Sequence, residues 1–181
     1  MAREKILIIT RNMMGAGAER VIAQLSNYFV QQGKSCNIIT LNDDEVFYKL
    51  DPRISILPVG QKSENKLKDK LLRYRQVRNM VLQQKPDLVL SLPEEIGVYV
   101  LLALLGTGIP VYVSERNNPW VMPDVKVTRI LRTLMYPFAK GIIFQTEMAK
   151  SFFPDSIQKK GVVLKNPVDA QRIPAQYSGQ R

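Results

Sequence analysis

The chain has 181 residues, 45% of them apolar and 23% charged, which is enough for one domain with a core of its own. Its 26 Lys and Arg against 16 Asp and Glu leave a net charge of +10, a balance that favours nucleic acid, phosphorylated ligands or an acidic membrane surface. The absence of histidine excludes Ser-His-Asp and Cys-His nucleophilic catalysis within the chain, and every zinc site that needs imidazole.

The N-terminus runs from charged residues directly into the apolar run 5–10, unlike a signal peptide and of a length that suits a buried parallel strand. Residues 18–32 predict a helix, with Val21, Ile22, Leu25, Tyr28 and Phe29 at helical spacing and Gly33 as its stop. A second strand is predicted at 36–41. It contains the single cysteine, Cys36, which cannot form an internal disulfide and suits a reducing cytoplasm. Residues 54–59 read as a third strand with edge character because of Pro58. A helix follows at 67–84, then Pro86-Asp87 turns into a strand at 88–90. Residues 94–105 predict a helix that is apolar nearly all round, hence buried. After a strand at 111–113, residues 124–138 form a helical pattern with Val127, Ile130, Leu131, Leu134 and Phe138 on one face. Strands at 142–144 and 162–164 flank a short helix near 146–153. No segment approaches the ~18 consecutive apolar residues of a spanning helix.

This alternation implies βαβ units, and therefore an α/β, Rossmann-like three-layer αβα domain with a mainly parallel sheet, spanning residues 1–169. Residues 170–181 carry little apolar content and read as a linker or terminal extension.

Ligands of such sheets bind at the carboxyl ends of the strands, so the loops there are the candidates. The loop from Arg11 to Arg20 contains Gly15, Ala16 and Gly17, where the backbone can approach a ligand and the next helix offers free N–H groups to an anion. Gly15-x-Gly17 matches the start of a dinucleotide fingerprint, and Asp43-Asp44 sits where a ribose-binding carboxylate would. Arg20, however, replaces the third glycine. In the loop 91–95, Glu94 and Glu95 suit a helix N-terminus electrostatically, and one of them is free to meet a ligand hydroxyl. The run Ser114-Glu115-Arg116-Asn117-Asn118-Pro119-Trp120 is densely polar directly after a buried strand. It reads either as a functional loop or as a long turn closed by Pro119 and Trp120.

Residues 62–85 hold eight basic side chains against two acids and supply +6 of the net charge. Leu67, Leu71, Tyr74, Val81 and Leu82 share one helical stripe bordered by Lys66, Lys70 and Arg73. Two compatible readings follow: contact with an anionic membrane or lipid phosphate, or a crossover helix that buries the stripe and solvates its charges.

Gly17-Ala18-Glu19-Arg20-Val21 after the first strand resembles the Gly-Gly-Ala-Glu-Arg-Val loop of glycosyltransferase family 4. Ser114-Glu115-Arg116-Asn117-Asn118-Pro119 is similar to that family's loop after its fifth main strand. Phe144-Gln145-Thr146 and Val162-Val163-Leu164-Lys165-Asn166-Pro167-Val168-Asp169 look like its closing strands and hinge. Two departures stand out: Ala16 replaces the usual first glycine, and Arg116 stands where many relatives carry histidine.

The resemblance implies one half of a GT-B fold, the acceptor-binding amino lobe of a retaining enzyme, without the carboxyl lobe that grips the nucleotide-sugar. The implied activity is hexosyl transfer from a nucleotide-diphosphate sugar to a glycan or lipid-linked glycan in cell-surface polysaccharide synthesis. The isolated chain is expected to be inactive. The roles it implies are catalytic for Arg116 and Glu94, and substrate-binding for Gly15, Ala16, Gly17, Glu19, Glu95, Glu115 and Asn117. Membrane or lipid-phosphate contact falls to Lys66, Lys70 and Arg73, and the hinge to Asn166 and Pro167. No metal, no cofactor and no nucleic acid partner is implied, and the expected location is cytoplasmic, peripheral on the inner face of the cell membrane. The alternatives are a basic Rossmann-like binding module for nucleic acid or another anion, and a flavodoxin-type signalling domain. The first lacks a reader motif, and the second would carry acids where this chain has Arg11-Asn12.

Overall fold

A computed structural model describes residues 3–42 and 44–166. The proposed Pro167 hinge position, Asp43, and the 170–181 segment lie outside the described residues. The elements follow the order β1 (Lys5–Thr10), α1 (Gly17–Gln31), β2 (Ser35–Thr40), β3 (Ile56–Pro58), α2 (Lys66–Gln84), β4 (Leu88–Ser91) and α3 (Glu94–Leu104). They continue with β5 (Val111–Ser114), α4 (Lys126–Met135), β6 (Gly141–Phe144), α5 (Glu147–Ser151), α6 (Asp155–Gln158) and β7 (Gly161–Val163). A single 3-10 turn, Tyr136–Phe138, extends α4, so the 124–138 helical pattern begins two residues late and tightens at its end. Two short helices replace the single one expected near 146–153.

The strands form one seven-stranded sheet in the order β3-β2-β1-β4-β5-β6-β7, and every neighbouring pair is parallel. β3, with Pro58, is an edge strand as its proline requires. The strand period of two sorts β1 between two cores. Ile6 and Ile8 pack with Val21, Ile22 and Val30 of α1, whereas Leu7 and Ile9 pack with α2 and α3 on the other face. Helices therefore cover both faces. α3 is buried along nearly its whole surface, as its unbroken apolar composition dictates.

The chain leaves β1 toward β2 and β3, then returns to place β4 on β1's other side. The sheet order reverses there, and a crevice opens outside the carboxyl ends of β1 and β4. The loops entering α1 and α3 both lead away from this point.

Candidate functional site

Three adjoining cavities line the carboxyl edge of the sheet. One of about 380 Å³ is bounded by Ala16, Gly17, Ala18 and Glu19 of the α1 entry, by Pro93, and by Arg116, Asn117, Gln145 and Asn166. A second, about 420 Å³, shares Ala16, Glu19, Pro93 and Asn117 with it and extends to Arg11, Met14 and Glu95. The third, about 770 Å³, shares Arg11, Glu95 and Met122 with the second and runs between α2, α3 and α4. Shared walls make them one trough, from the switch point of the sheet into the gap between three helices.

The α1 end is shaped by glycine chemistry and by aromatic residues of the loop between β2 and β3. Gly15 has φ +108°, and its Cα faces the Phe47 ring, which would meet a Cβ at 3.0 Å. The Tyr48 hydroxyl donates to the Gly15 carbonyl at 2.8 Å and holds the turn. Ala16 caps α1 with extended backbone and no side-chain bond, so the first-turn N–H groups of this 15-residue helix are open to an anion. Glu19 is buried in that first turn, and its Oε2 has no hydrogen-bond partner.

Glu94 is fully buried at the start of α3. Its Oε2 accepts from the Arg116 backbone N–H at 3.2 Å, and its Oε1 accepts from Asn117 Nδ2 at 2.7 Å. Both oxygens are thus committed to the loop after β5. Glu95 is the accessible carboxylate of the pair, bonded to Arg11 Nη2 at 2.5 Å. Glu94, expected to be catalytic, is buried and fixes the loop, while Glu95, expected to bind substrate, faces the trough.

Arg116 is half-buried, with Nη2 donating to Asn166 Oδ1 and Nε without a partner. Burial pulls its pKa below the ordinary arginine value, and the Glu94 carboxylate opposes that pull. Gln145 Nε2 reaches the same Asn166 oxygen at 3.4 Å. The fold therefore joins the two motifs 50 residues apart in sequence, Arg116 and Asn166, beside the α1 entry.

Glu115, expected among the substrate-binding residues, is buried on the opposite side of its strand end. Its Oε1 accepts from the Tyr136 hydroxyl at 2.5 Å and from Arg132 Nη1 at 3.3 Å. Burial pushes its pKa up to about 7, against the opposing pull of Arg132 and Tyr136. Arg132, also buried, donates to the Met122 and Pro119 carbonyls as well. Glu115, Arg132 and Tyr136 clamp α4 to the β5 loop and line none of the three cavities of the trough.

Lys66, Lys70 and Arg73 all line the large cavity, facing Tyr74, Tyr99, Leu102 and Leu131. They differ in freedom. Lys66 and Lys70 are exposed, whereas Arg73 donates to the Leu41 carbonyl and Asn42 Oδ1 and stands 3.6 Å from Asp69. α2 buries Val77 and Val81 in the core, so its crossover role is real, while Leu71 and Leu82 remain exposed.

Sequence reasoning missed Arg11, Tyr48 and Gln145. Arg11 and Gln145 directly follow strands β1 and β6, which was the available signal. Tyr48 had none, because its role arises from a long-range contact with Gly15. Among the described residues, no group of three or more His, Cys, Asp or Glu side chains could hold a metal ion. No helix among them is long and apolar enough to cross a membrane.

Residues 15–172 match the family model described as Glycosyltransferase Family 4. The chain is 24% identical over 167 residues to a Campylobacter jejuni α-1,4-N-acetyl-D-galactosaminyltransferase that acts on a diphosphoundecaprenol-linked glycan. The alignment covers 90% of this chain and 46% of that protein. Among solved structures, Anabaena HepE in complex with UDP and glucose superposes with a TM-score of 0.69 at 12% identity, over 92% of this chain and 45% of that one. The lipopolysaccharide outer core galactosyltransferase WaaB superposes at 0.67 with 17% identity, over 91% and 46%. The chain thus spans about half the length of the relatives it matches, and its fold is the one they share over that half.

Proposed function

The chain belongs to Glycosyltransferase Family 4, and we propose that it forms the acceptor side of a retaining hexosyltransferase. The reaction we assign moves a sugar from a nucleotide-diphosphate donor to a hydroxyl of a glycan or lipid-linked glycan in cell-surface polysaccharide synthesis. The donor-binding lobe corresponds to the other half of the relatives' length.

The observation that carries this reading is the trough. At its sheet end, the open α1 N-terminus and the Arg116 guanidinium converge on one cavity. Fixed N–H dipoles and a planar cation stabilise charge that develops on a leaving diphosphate without reorganising at the moment of reaction. The diphosphate needs no other counter-charge from this lobe, so the reading includes no cofactor and no metal. Glu19, an acceptor with an unpartnered oxygen in the same wall, suits sugar hydroxyls rather than phosphate. Glu95, oriented by Arg11, orients the attacking hydroxyl. Glu94 acts one step back, by holding Arg116 and Asn117 in place. At its far end the trough combines Lys66 and Lys70 with aromatic and aliphatic walls, a match for an anionic head joined to an apolar tail. On this reading the protein works in the cytoplasm at the inner face of the membrane.

The test is transfer of labelled sugar from a panel of nucleotide-diphosphate sugars to glycolipid and free-glycan acceptors, using this chain joined to its donor lobe. We expect transfer with retained configuration at the anomeric carbon, and none by the 181-residue chain alone, because half of the cleft is missing from it. Transfer by the isolated chain above a heat-killed control, or inverted product, contradicts the proposal.

A further inference from the structure

Helix α4 turns an apolar stripe away from the core. Its inward side combines two arginines with Leu131 and Met135, which pack on the core: Arg132 is 2% exposed against Glu115, and Arg129 donates to the Pro123 and Val121 carbonyls. The remaining apolar residues point outward. Val127, Ile130 and Leu134 are 63%, 61% and 56% exposed, and Phe138 in the following turn is 60% exposed. These four positions share the helix face opposite Arg132, at i, i+3, i+7 and i+11. No acid occurs from residue 125 to 146, while Lys126 and Lys140 are exposed at either end of the stripe.

We propose that this face of α4 is a membrane-docking surface, which lies in the plane of an anionic bilayer with its apolar stripe at the headgroup and acyl boundary. An amphipathic helix with apolar residues on one face and cations at its margins partitions into that boundary. The charge favours the same occupant: an acid-free, cation-bordered stripe on a chain of net charge +10 complements anionic lipid. The size disfavours a second copy of the chain, since one helix face presents a few hundred Å², against the roughly 800 Å² per partner of a standard dimer. A second feature agrees in position. Val125, Thr128 and Leu131 of this segment line the large cavity together with Lys66 and Lys70, so the trough opens beside the stripe. If the acceptor is lipid-linked, as proposed above, its tail passes from the trough directly into the bilayer. The docking surface itself does not depend on that.

Co-sedimentation of the 181-residue chain with vesicles of phosphatidylglycerol and phosphatidylethanolamine, at 0.05 and 0.5 M NaCl, tests the proposal. Ionic attraction is screened at the higher salt and apolar insertion is not. We expect the native chain to keep a salt-resistant bound fraction. An Ile130→Gln, Leu134→Gln double variant should lose it at least tenfold with an unchanged melting temperature. A Lys66→Gln, Lys70→Gln variant should bind less at low salt yet keep the salt-resistant fraction. Unchanged binding by the α4 double variant, or complete release of the native chain at 0.5 M NaCl, overturns the proposal. So does self-association in light scattering that the same double variant abolishes while the native chain ignores vesicles. With the donor lobe joined, the double variant should transfer sugar to a water-soluble acceptor as the native protein does. Transfer that falls for both acceptors assigns the stripe to the enzyme's interior contacts, and loss of transfer in the native protein refutes the enzymatic reading instead.

Discussion

Glu94 shows how a buried carboxylate organises an exposed site. Each of its oxygens accepts from the β5 loop, so Glu94→Gln keeps the shape but turns one acceptor into a donor facing another donor. The expected cost is about 1–3 kcal/mol, visible as a Tm lower by roughly 3–10 °C in thermal unfolding. An unchanged Tm would mean that the loop is held by other contacts. Glu115 makes a different prediction. An unfolded glutamate ionises near 4.5, while burial lifts the native Glu115 to about 7. Between those values the native state holds a proton that the unfolded state has released. Stability therefore falls as pH rises through this window, by up to about 1.4 kcal/mol per pH unit, and levels off above it. The chain contains no histidine to titrate in the same range. Glu115→Gln should flatten the dependence of urea-unfolding free energy on pH between 5 and 7, and equal slopes in both proteins would contradict the assignment.

At the scale of elements, most strands and helices were legible because their periods are strong. The unbroken apolar run of β1 and the all-round apolar α3 could be placed correctly from composition alone. The orientation of α4 could not. Period reveals that an apolar face exists, and the usual inference turns that face to the core. Here the arginine-bearing side turns inward as well, where Arg132 pairs with the buried Glu115 while Leu131 and Met135 pack on the core. Gly97 is the matching case in α3. A Cβ there would lie 2.3 Å from Val113 Cγ1, so the helix sits on β5 at a distance only glycine permits. Gly97→Ala should destabilise the protein by about 1–3 kcal/mol despite alanine's higher helix propensity. Chemical denaturation measures this directly, and a neutral or stabilising effect would show that α3 can lift from the sheet without loss.

At the scale of the molecule, the alternation of elements predicted a parallel sheet, and the site's general location followed from the switch-point rule. The residues that share the trough were legible only in part. Arg116 and the α1 entry come from loops that any parallel sheet brings to one edge. The bond from Arg116 to Asn166 and the division of labour between Glu94 and Glu95 depend on side-chain directions that spacing does not encode. The two cores fill both faces of the sheet, consistent with a lobe that folds as a unit. In the proposed reaction, charge on the leaving diphosphate is met at the α1 entry by Arg116. The most direct test of this is the turnover of the complete enzyme, chain and donor lobe together, with Arg116→Ala and Arg116→Lys. We expect kcat to fall roughly 10–1000-fold in both, because lysine keeps the charge but not the planar fork, with Tm within a few degrees of the native protein. Turnover within twofold of native in the alanine variant would contradict it, and would leave the 114–120 loop as a structural turn held by Glu94.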